Sequence, residues 1–471
     1  MMNSEAWRLI DYITFKLDCA REQEALRWKL DVPKAEDYLK KWEALKSSKV
    51  EQLADAMPEK VTKKMVQAPA EDKYYKKNGE ISVAGEKWVT LCKQYRQPLT
   101  AKSFMIDLRE RANPNSPDQV KAWLNKEGWM PRTFKFTRDS EGNEKSVAQV
   151  RKDGLLCPSV LELAEKCESI RILDGLSVLS HRIGILKAML QNQEGGYVKA
   201  TVAGLTNTLR FKHAKPLVNL PSVEKPYGAE IRGCLIAPEG YVLCGADMTS
   251  LEDTTKRHYM QPLDPEYVAE MSKPGFDPHL DLAKHAGVIS QEDIDKHNTG
   301  ERSLKALRKN YKVVNYSATY GVKEATLSRT TGMKKSEAKK LLAAFWDRNW
   351  SVEAVAKGVR VREPQGLGGM WLKNPVSGFW YSLRSEKDRF STLNQGTGVY
   401  CFDTWVKHCR KDGVKTIGQF HDEIITLVKE GKETQEKISM EDSIERLNDE
   451  LQLNVPLGTD VQFGNSYADI H

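Results

Sequence analysis

Two short acidic stretches stand where carboxylates are not easily kept. Tyr241 to Ala246 (YVLCGA) is a nearly apolar run that ends at Asp247, and Asp247 opens the string Asp-Met-Thr-Ser-Leu-Glu, which closes at Glu252. Much later, Val414 to Val428 reads as strand, turn, strand, with His421, Asp422 and Glu423 in a row at the turn. A single aspartate after a hydrophobic strand is commonly a turn residue or a helix N-cap. Three ionisable groups at a hairpin tip differ, because burying them without compensating cations is costly. Either that tip is solvated or it holds a metal. Hard divalent ions such as magnesium take one or two carboxylates plus substrate phosphates. Two such ions about 4 Å apart can activate a hydroxyl nucleophile and steady a leaving oxygen. Asp247 and Asp422 suit that chemistry if they meet.

The complementary charge lies between them. Residues 301 to 350 hold twelve basic and four acidic residues, whereas residues 251 to 300 hold five basic and ten acidic. Within the basic segment Arg308, Lys312, Tyr316 and Tyr320 recur every four residues, with Lys305 one turn earlier and Gly321 at the end. That spacing follows one slowly rotating face of an α-helix. A charge run is ordinarily a solvated face, but two tyrosines continuing the same face would be odd solvent decoration. A cationic half followed by an aromatic half matches a nucleotide lying along the helix, triphosphate at Arg308 and Lys312, base and sugar near Tyr316. Arginine offers phosphate a planar fork, and lysine a point charge that can also give up a proton.

These residues need a scaffold that joins distant parts of the chain. A carboxylate at a strand end and another at a hairpin tip converge only if the two strands are neighbours in one sheet. From Glu5 to about Ala56 the pattern is helical, with Ala35, Leu39, Trp42 and Leu45 marking a packing stripe. Residues 57 to 111, with Pro58, Pro69 and a turn at 73 to 79, read as an insertion or elaborated connection. Helix returns at Ser116 to Gly128, where Ser116 can cap and Pro117 fits the first turn, and again from about Pro158 to Gln193. Strand-like composition arrives late, at Tyr241.

The 471 residues are 40% hydrophobic with a net charge of +7, enough to fill a large core and only mildly basic overall. The cationic character is therefore local, which favours a polyanionic ligand. Eight cysteines lie scattered without zinc spacing, and no apolar run approaches the roughly 18 residues of a membrane span. The expectation is a protein of a reducing compartment with no membrane association.

Taken together, the motifs resemble family A (Pol I-type) DNA polymerases, and especially the replicative polymerases of short-tailed bacteriophages. Asp247 to Glu252 resembles the first palm motif, the Arg308 to Gly321 series the fingers helix, and His421-Asp422-Glu423 the second palm motif. Asn113 to Asp118 with Glu127-Gly-Trp129 resemble a thumb segment, and Arg210 to His213 with Leu220-Pro221 a segment touching the primer duplex. Asp277-Pro-His279, Gln395-Gly396 and the closing Ala468 to His471 also have counterparts.

The resemblance implies an α/β (α+β) right hand: an antiparallel-sheet palm with helical thumb and fingers. Residues 1–200 would form the thumb region, 201–260 the first part of the palm, 261–375 the fingers and 376–471 the second part of the palm. It implies that Asp247 and Asp422 hold two Mg2+ ions with the carbonyl of Met248, and that Glu423 supports them. Arg308, Lys312 and His279 would bind the triphosphate, Lys312 also protonating pyrophosphate. Tyr316 and Glu252 would face the sugar, Glu252 closing off a 2′-hydroxyl. Arg210 and Gln395 would probe the minor groove, His421 the primer terminus and Tyr320 the template base.

Primer-template DNA and deoxynucleoside triphosphates would be the partners, in the cytoplasm of a phage-infected bacterium. No Asp-x-Glu nuclease signature precedes the thumb-like region, so the chain is expected to lack its own proofreading activity, which is either on a separate exonuclease chain or absent. The resemblance leaves room for a processivity factor at residues 57 to 111. Ser317, Ser391 and Lys387 depart from the glycine, asparagine and arginine usual at their places. A single-subunit RNA polymerase or a catalytically retired polymerase fold are the competing readings. Glu252 and His421 disfavour the first, and retention of both aspartates with Arg308 and Lys312 disfavours the second.

Overall fold

A computed structural model describes residues 4–152, 154–364, 366 and 368–470, so His471 of the chain-terminal motif lies outside the described residues. The chain forms two compact units: one holds the chain up to Ala35 and everything from Ala188 on, the other Glu36–Lys187.

The larger unit is built on a four-stranded sheet in the order Thr416–Phe420, Glu423–Lys429, Tyr241–Met248, Thr459–Gly464. Every neighbour is antiparallel. The strand carrying Asp247 is thus central and directly beside the strand that follows Asp422, as convergence requires. Its apolar composition has a physical reason, since both faces are covered. Ala246, Met248 and Ile424 pack with Phe402, Trp405 and Val406 of the long helix Arg389–Lys411, and with Met440 and Ile444 of the helix Glu433–Leu451. Trp405 is fully buried and its indole N–H donates to the carbonyl of Met440 at 3.1 Å. Towards the chain terminus, a Cβ at Gly245 would lie 2.8 Å from Ile470 Cδ1, so any larger residue there would push the Ile470 side chain aside. The helix Ser4–Leu26 adds Cys19 to the same core and carries Lys16, whose ammonium is buried against Asp403 at 2.6 Å.

A second core in this unit seats the basic helix, Lys305–Thr319. Tyr311, Val314 and Ala318, spaced by three and four, turn inward against Leu282, Leu327, Leu342 and Phe345. The opposite face is left to Lys312 and Tyr316, both exposed, and to the half-buried Arg308. Tyr320 caps the helix, and Gly321 follows with φ +70°. A Cβ at Gly321 would come within 3.1 Å of both the backbone and side chain of Lys387, so the residue departing from the family's arginine packs on this turn.

In the smaller unit, Leu53, Val120, Trp123, Leu124, Trp129, Val160 and Ile170 share a core. The helix Pro117–Lys126 starts as expected, with the Ser116 hydroxyl accepting from the Gln119 amide. Residues 57–111 contain an antiparallel pair, Lys60–Gln67 with Ser103–Glu110, and the helix Val83–Gln94, whose Trp88 packs on Phe104 at 5.1 Å.

Two expectations need correction and one gains detail. Strands occur well before Tyr241, at Trp28–Leu30 and Lys60–Gln67 among others; the second is solvent-exposed along nearly its whole length, so burial imprints no alternation on it. The helical patterning from about Pro158 to Gln193 is carried by three helices, Pro158–Lys166, Glu168–Arg171 and Leu176–Asn192, the last preceded by Gly175 at φ +70°. Leu45, assigned to a packing stripe, is 42% exposed.

Candidate active site

Sheet register decides the first cluster. Asp247 stands opposite Glu423 on one neighbour and opposite Asp460 on the other. The Met248 amide donates to the carbonyl of Asp422 at 3.0 Å, which ties the hairpin turn to the end of the central strand. His421 makes that turn with φ +62°, a left-handed conformation uncommon for a non-glycine residue. Glu423 is buried and its Oε2 accepts from the Tyr467 hydroxyl at 3.2 Å. Asp460 escaped sequence reasoning because Thr459–Gly464 reads as an ordinary short strand; only its pairing reveals it.

Four carboxylates near one sheet end repel. Desolvation against the pocket wall, reinforced by the negative charges of Asp422, Glu423 and Asp460, pushes the Asp247 carboxyl up to about 7, against the pull of the Met248 amide. A cation would relieve that excess. Among the described residues no group of three or more His, Cys, Asp or Glu side chains is arranged to hold a metal ion. The donors on offer are the carboxylates of Asp247 and Asp422, hard oxygen groups of the kind that suit magnesium shared with substrate phosphates. The residues present therefore fit such an ion. A cavity of about 220 Å³ adjoins them, lined among others by His213, Arg232, Asp247, His421, Asp422 and Glu423.

The second cluster joins residues from five places in the chain. Gln395 Nε2 donates to the Tyr320 hydroxyl at 3.0 Å. Burial raises the Tyr320 phenol, Glu252 raises it further, and Gln395 and Arg210 oppose. Burial likewise raises Glu252, with Arg210 opposing and Asp422 adding to the rise. His421 is lowered by burial and then by Arg210. Arg210, Glu252, Tyr320, Gln395 and His421 thus form one electrostatic neighbourhood that reaches Asp422.

The third cluster lies on the basic helix. Asp277 caps the helix Pro278–His285, accepting from the amides of His279 at 2.8 Å and Leu280 at 3.0 Å. Its other oxygen takes the Nε–H of Arg308. His279 is buried, with its ring 6.0 Å from that of Tyr316, and Lys312 Nζ lies 5.8 Å from the Tyr316 centroid. Asn315 Nδ2 faces the carbonyls of Pro278 and Tyr311, which fixes it as a donor, and it also reaches His279 Nδ1 at 3.2 Å. That network assigns the histidine proton to Nε2. Burial, with Arg308, Lys312 and Lys256 adding to it and Asp277 opposing, lowers His279 to about 4. At neutral pH His279 is a neutral N–H donor beside Arg308 and Lys312. Asp277 as the partner of Arg308, and Asn315, were not anticipated as site residues, since neither contact follows from spacing along one helix.

The fold is that of a polymerase. It superposes on the POL domain of Pol1 from M. smegmatis, solved in complex with DNA primer-template and dNTP, with a TM-score of 0.65 over 96% of this chain and 70% of that one at 19% identity. The family model of DNA polymerase family A matches residues 89–364, and the chain belongs to that family. It is similar to the DNA-directed DNA polymerase of Enterobacteria phage T3, 24% identical over 326 residues, 62% of this chain and 42% of that protein. It is also similar to DNA polymerase I of Helicobacter pylori (strain J99), 25% identical over 364 residues, 74% of this chain and 37% of that protein. The chain therefore spans about two fifths of the length of these relatives. Among its described residues no helix is long and apolar enough to cross a membrane.

Proposed function

We propose that this chain is a template-directed DNA polymerase, adding deoxynucleotides to a primer 3′ end, and that it serves the replication of a phage genome. The observation that carries the reading is the register that sets Asp247 opposite Glu423 and Asp460, with Met248 tied to Asp422, in the same unit as a helix that exposes cations and tyrosine.

Asp247, Asp422 and the Met248 carbonyl would hold two Mg2+ ions, with Glu423 as a supporting carboxylate. When bound, such ions activate the primer hydroxyl and steady the leaving oxygen. The remaining steps belong to the chain itself. Arg308, Lys312 and the His279 Nε2–H grip the triphosphate, and Lys312 gives a proton to departing pyrophosphate. Tyr316 lies under the sugar, and Glu252 occupies the space a 2′-hydroxyl would need. Arg210 and Gln395 read minor-groove acceptors that all correct pairs share, His421 holds the primer terminus, and Tyr320 faces the template base.

In this reading residues 1–200 act as the thumb region, 201–260 and 376–471 as the palm, and 261–375 as the fingers. Primer-template DNA and deoxynucleoside triphosphates are the substrates, and a processivity factor or an exonuclease chain the possible partners. Extension of a primed template with defined nucleotides and magnesium tests the proposal. Asp247→Asn and Asp422→Asn, which remove charge without changing shape, should abolish extension while folding and DNA binding persist. Full extension by either variant would sink the metal assignment, and no extension by the parent protein would sink the polymerase reading.

A further inference from the structure

We infer that Asn315 is a positioning residue for His279: its side-chain amide sets which ring nitrogen carries the proton, and so offers the nucleotide an N–H rather than a lone pair. The inference deepens the polymerase reading above and rests on it.

Asn315 comes seven residues after Arg308, two turns along the basic helix, and so lies on the side where Arg308 meets Asp277. Its Nδ2 is 3.1 Å from the Pro278 carbonyl, 3.3 Å from the Tyr311 carbonyl and 3.2 Å from His279 Nδ1. Turning the amide over would set Oδ1 against two carbonyl oxygens, so the NH2 group stays where it is. Facing a group that can only donate, His279 Nδ1 must accept, and the proton goes to Nε2.

An imidazolium would escape that choice, since both its nitrogens donate. Burial, with Arg308, Lys312 and Lys256 adding to it and Asp277 opposing, lowers the ring to about 4 and keeps it neutral at pH 7. A neutral ring has a single N–H, and the other tautomer would present a phosphate oxygen with a lone pair. His279 is 8% exposed, and among the described residues Asn315 is the one hydrogen-bond partner of its ring, Nε2 having none. The Tyr316 ring, 6.0 Å away, restrains the plane of the imidazole without choosing between its nitrogens. The Pro278 and Tyr311 carbonyls lie within helices, where each also takes the amide four residues on. Losing the Asn315 amide therefore frees the histidine and orphans neither carbonyl.

Asn315→Leu keeps the approximate volume and removes the donor. With 15N-labelled histidine, the parent spectrum should show His279 neutral with its proton on Nε2, the signal assigned by its loss in His279→Gln; the chain has only nine histidines to resolve. A proton on Nδ1 would overturn the inference. In Asn315→Leu both tautomers should be populated. Its KM for the nucleotide in single-nucleotide extension should rise about three- to tenfold, the worth of one hydrogen bond, while kcat and primer-template affinity hold. An unchanged tautomer, or a changed tautomer with KM unmoved, refutes the role. His279→Gln supplies a donor that has no tautomer, so adding Asn315→Leu to it should cost nothing further. A second loss of the same size would mean that Asn315 acts by another route. A parent that does not extend removes the polymerase reading, and the tautomer shift then decides the positioning role by itself. If Asn315→Leu fails to fold, Asn315→Ala, favoured in a helix, carries the same expectations.

Discussion

The bond between Arg308 and Asp277 sets up a competition that can be measured. Arg308 is 41% exposed and Asp277 19%, so this is a partly solvated pair, and pairs of that kind contribute about 0.5 to 1 kcal/mol. A triphosphate that recruits Arg308 must first displace Asp277. Asp277→Asn removes the charge yet keeps a side-chain oxygen for capping the helix that carries His279, because asparagine caps about as well as aspartate. KM for the nucleotide should therefore fall by about two- to fivefold, the equivalent of that pair energy. Arg308→Ala should act in the opposite direction, costing about 1.5 to 3 kcal/mol, or roughly ten- to a hundredfold in incorporation efficiency, with primer-template affinity little changed.

Stability supplies the second readout. Burial alone would raise the Asp277 carboxyl, but Arg308 and the amides of Leu280 and His279 outweigh it and hold the pKa below the usual aspartate value of 3.8. A depressed carboxylate stabilises fully above its unfolded pKa, and that contribution is lost as pH falls through the lower native value. Urea unfolding should therefore show Asp277→Asn less stable than the parent by up to about 1 kcal/mol at neutral pH, with the difference vanishing in acid. A rise in KM for Asp277→Asn would refute the competition and make Asp277 an orienting partner instead. Loss of DNA affinity with nucleotide use intact in Arg308→Ala would make the helix a duplex-binding surface.

If Tyr316 and Glu252 face the sugar as proposed, nucleotides lacking a 3′-hydroxyl should be used nearly as well as normal ones, and Tyr316→Phe should impose discrimination of about 2 kcal/mol, the cost of polar groups left unpaired. Glu252→Ala should raise ribonucleotide incorporation. Competing deoxy-, dideoxy- and ribonucleotides in single-turnover extension measure both, and unchanged ratios would remove these residues from the sugar. Asp403→Ala should destabilise the larger unit by about 3 to 5 kcal/mol in denaturant unfolding, because it strands the buried Lys16 ammonium, which also lies 4.3 Å from the Phe211 ring. Pairing it with Lys16→Met should recover most of that loss, and a double variant as unstable as the single would show that the pair itself holds the fold.

The exposed face of the basic helix was legible because helical neighbours are local. Arg308, Lys312 and Tyr316 share a face at four-residue spacing whatever the rest of the chain does, and the inward set Tyr311, Val314 and Ala318 is equally visible as a stripe. Asp247 and Asp422 were each legible as charges that an apolar strand should not carry without cause. Their meeting, though, depended on two strands pairing across much of the chain, and the same pairing brought in Asp460, which nothing local distinguishes. Tyr467 on Glu423, Asp277 on Arg308 and Lys16 on Asp403 belong to the same class. Side-chain type and helical period are properties of a few consecutive residues, so the sequence by itself determined which groups could do chemistry. Register and ion pairing join residues whose separation costs chain entropy to close, and that cost is met only when the whole core packs. Which of those groups stand together was therefore decided by the tertiary structure.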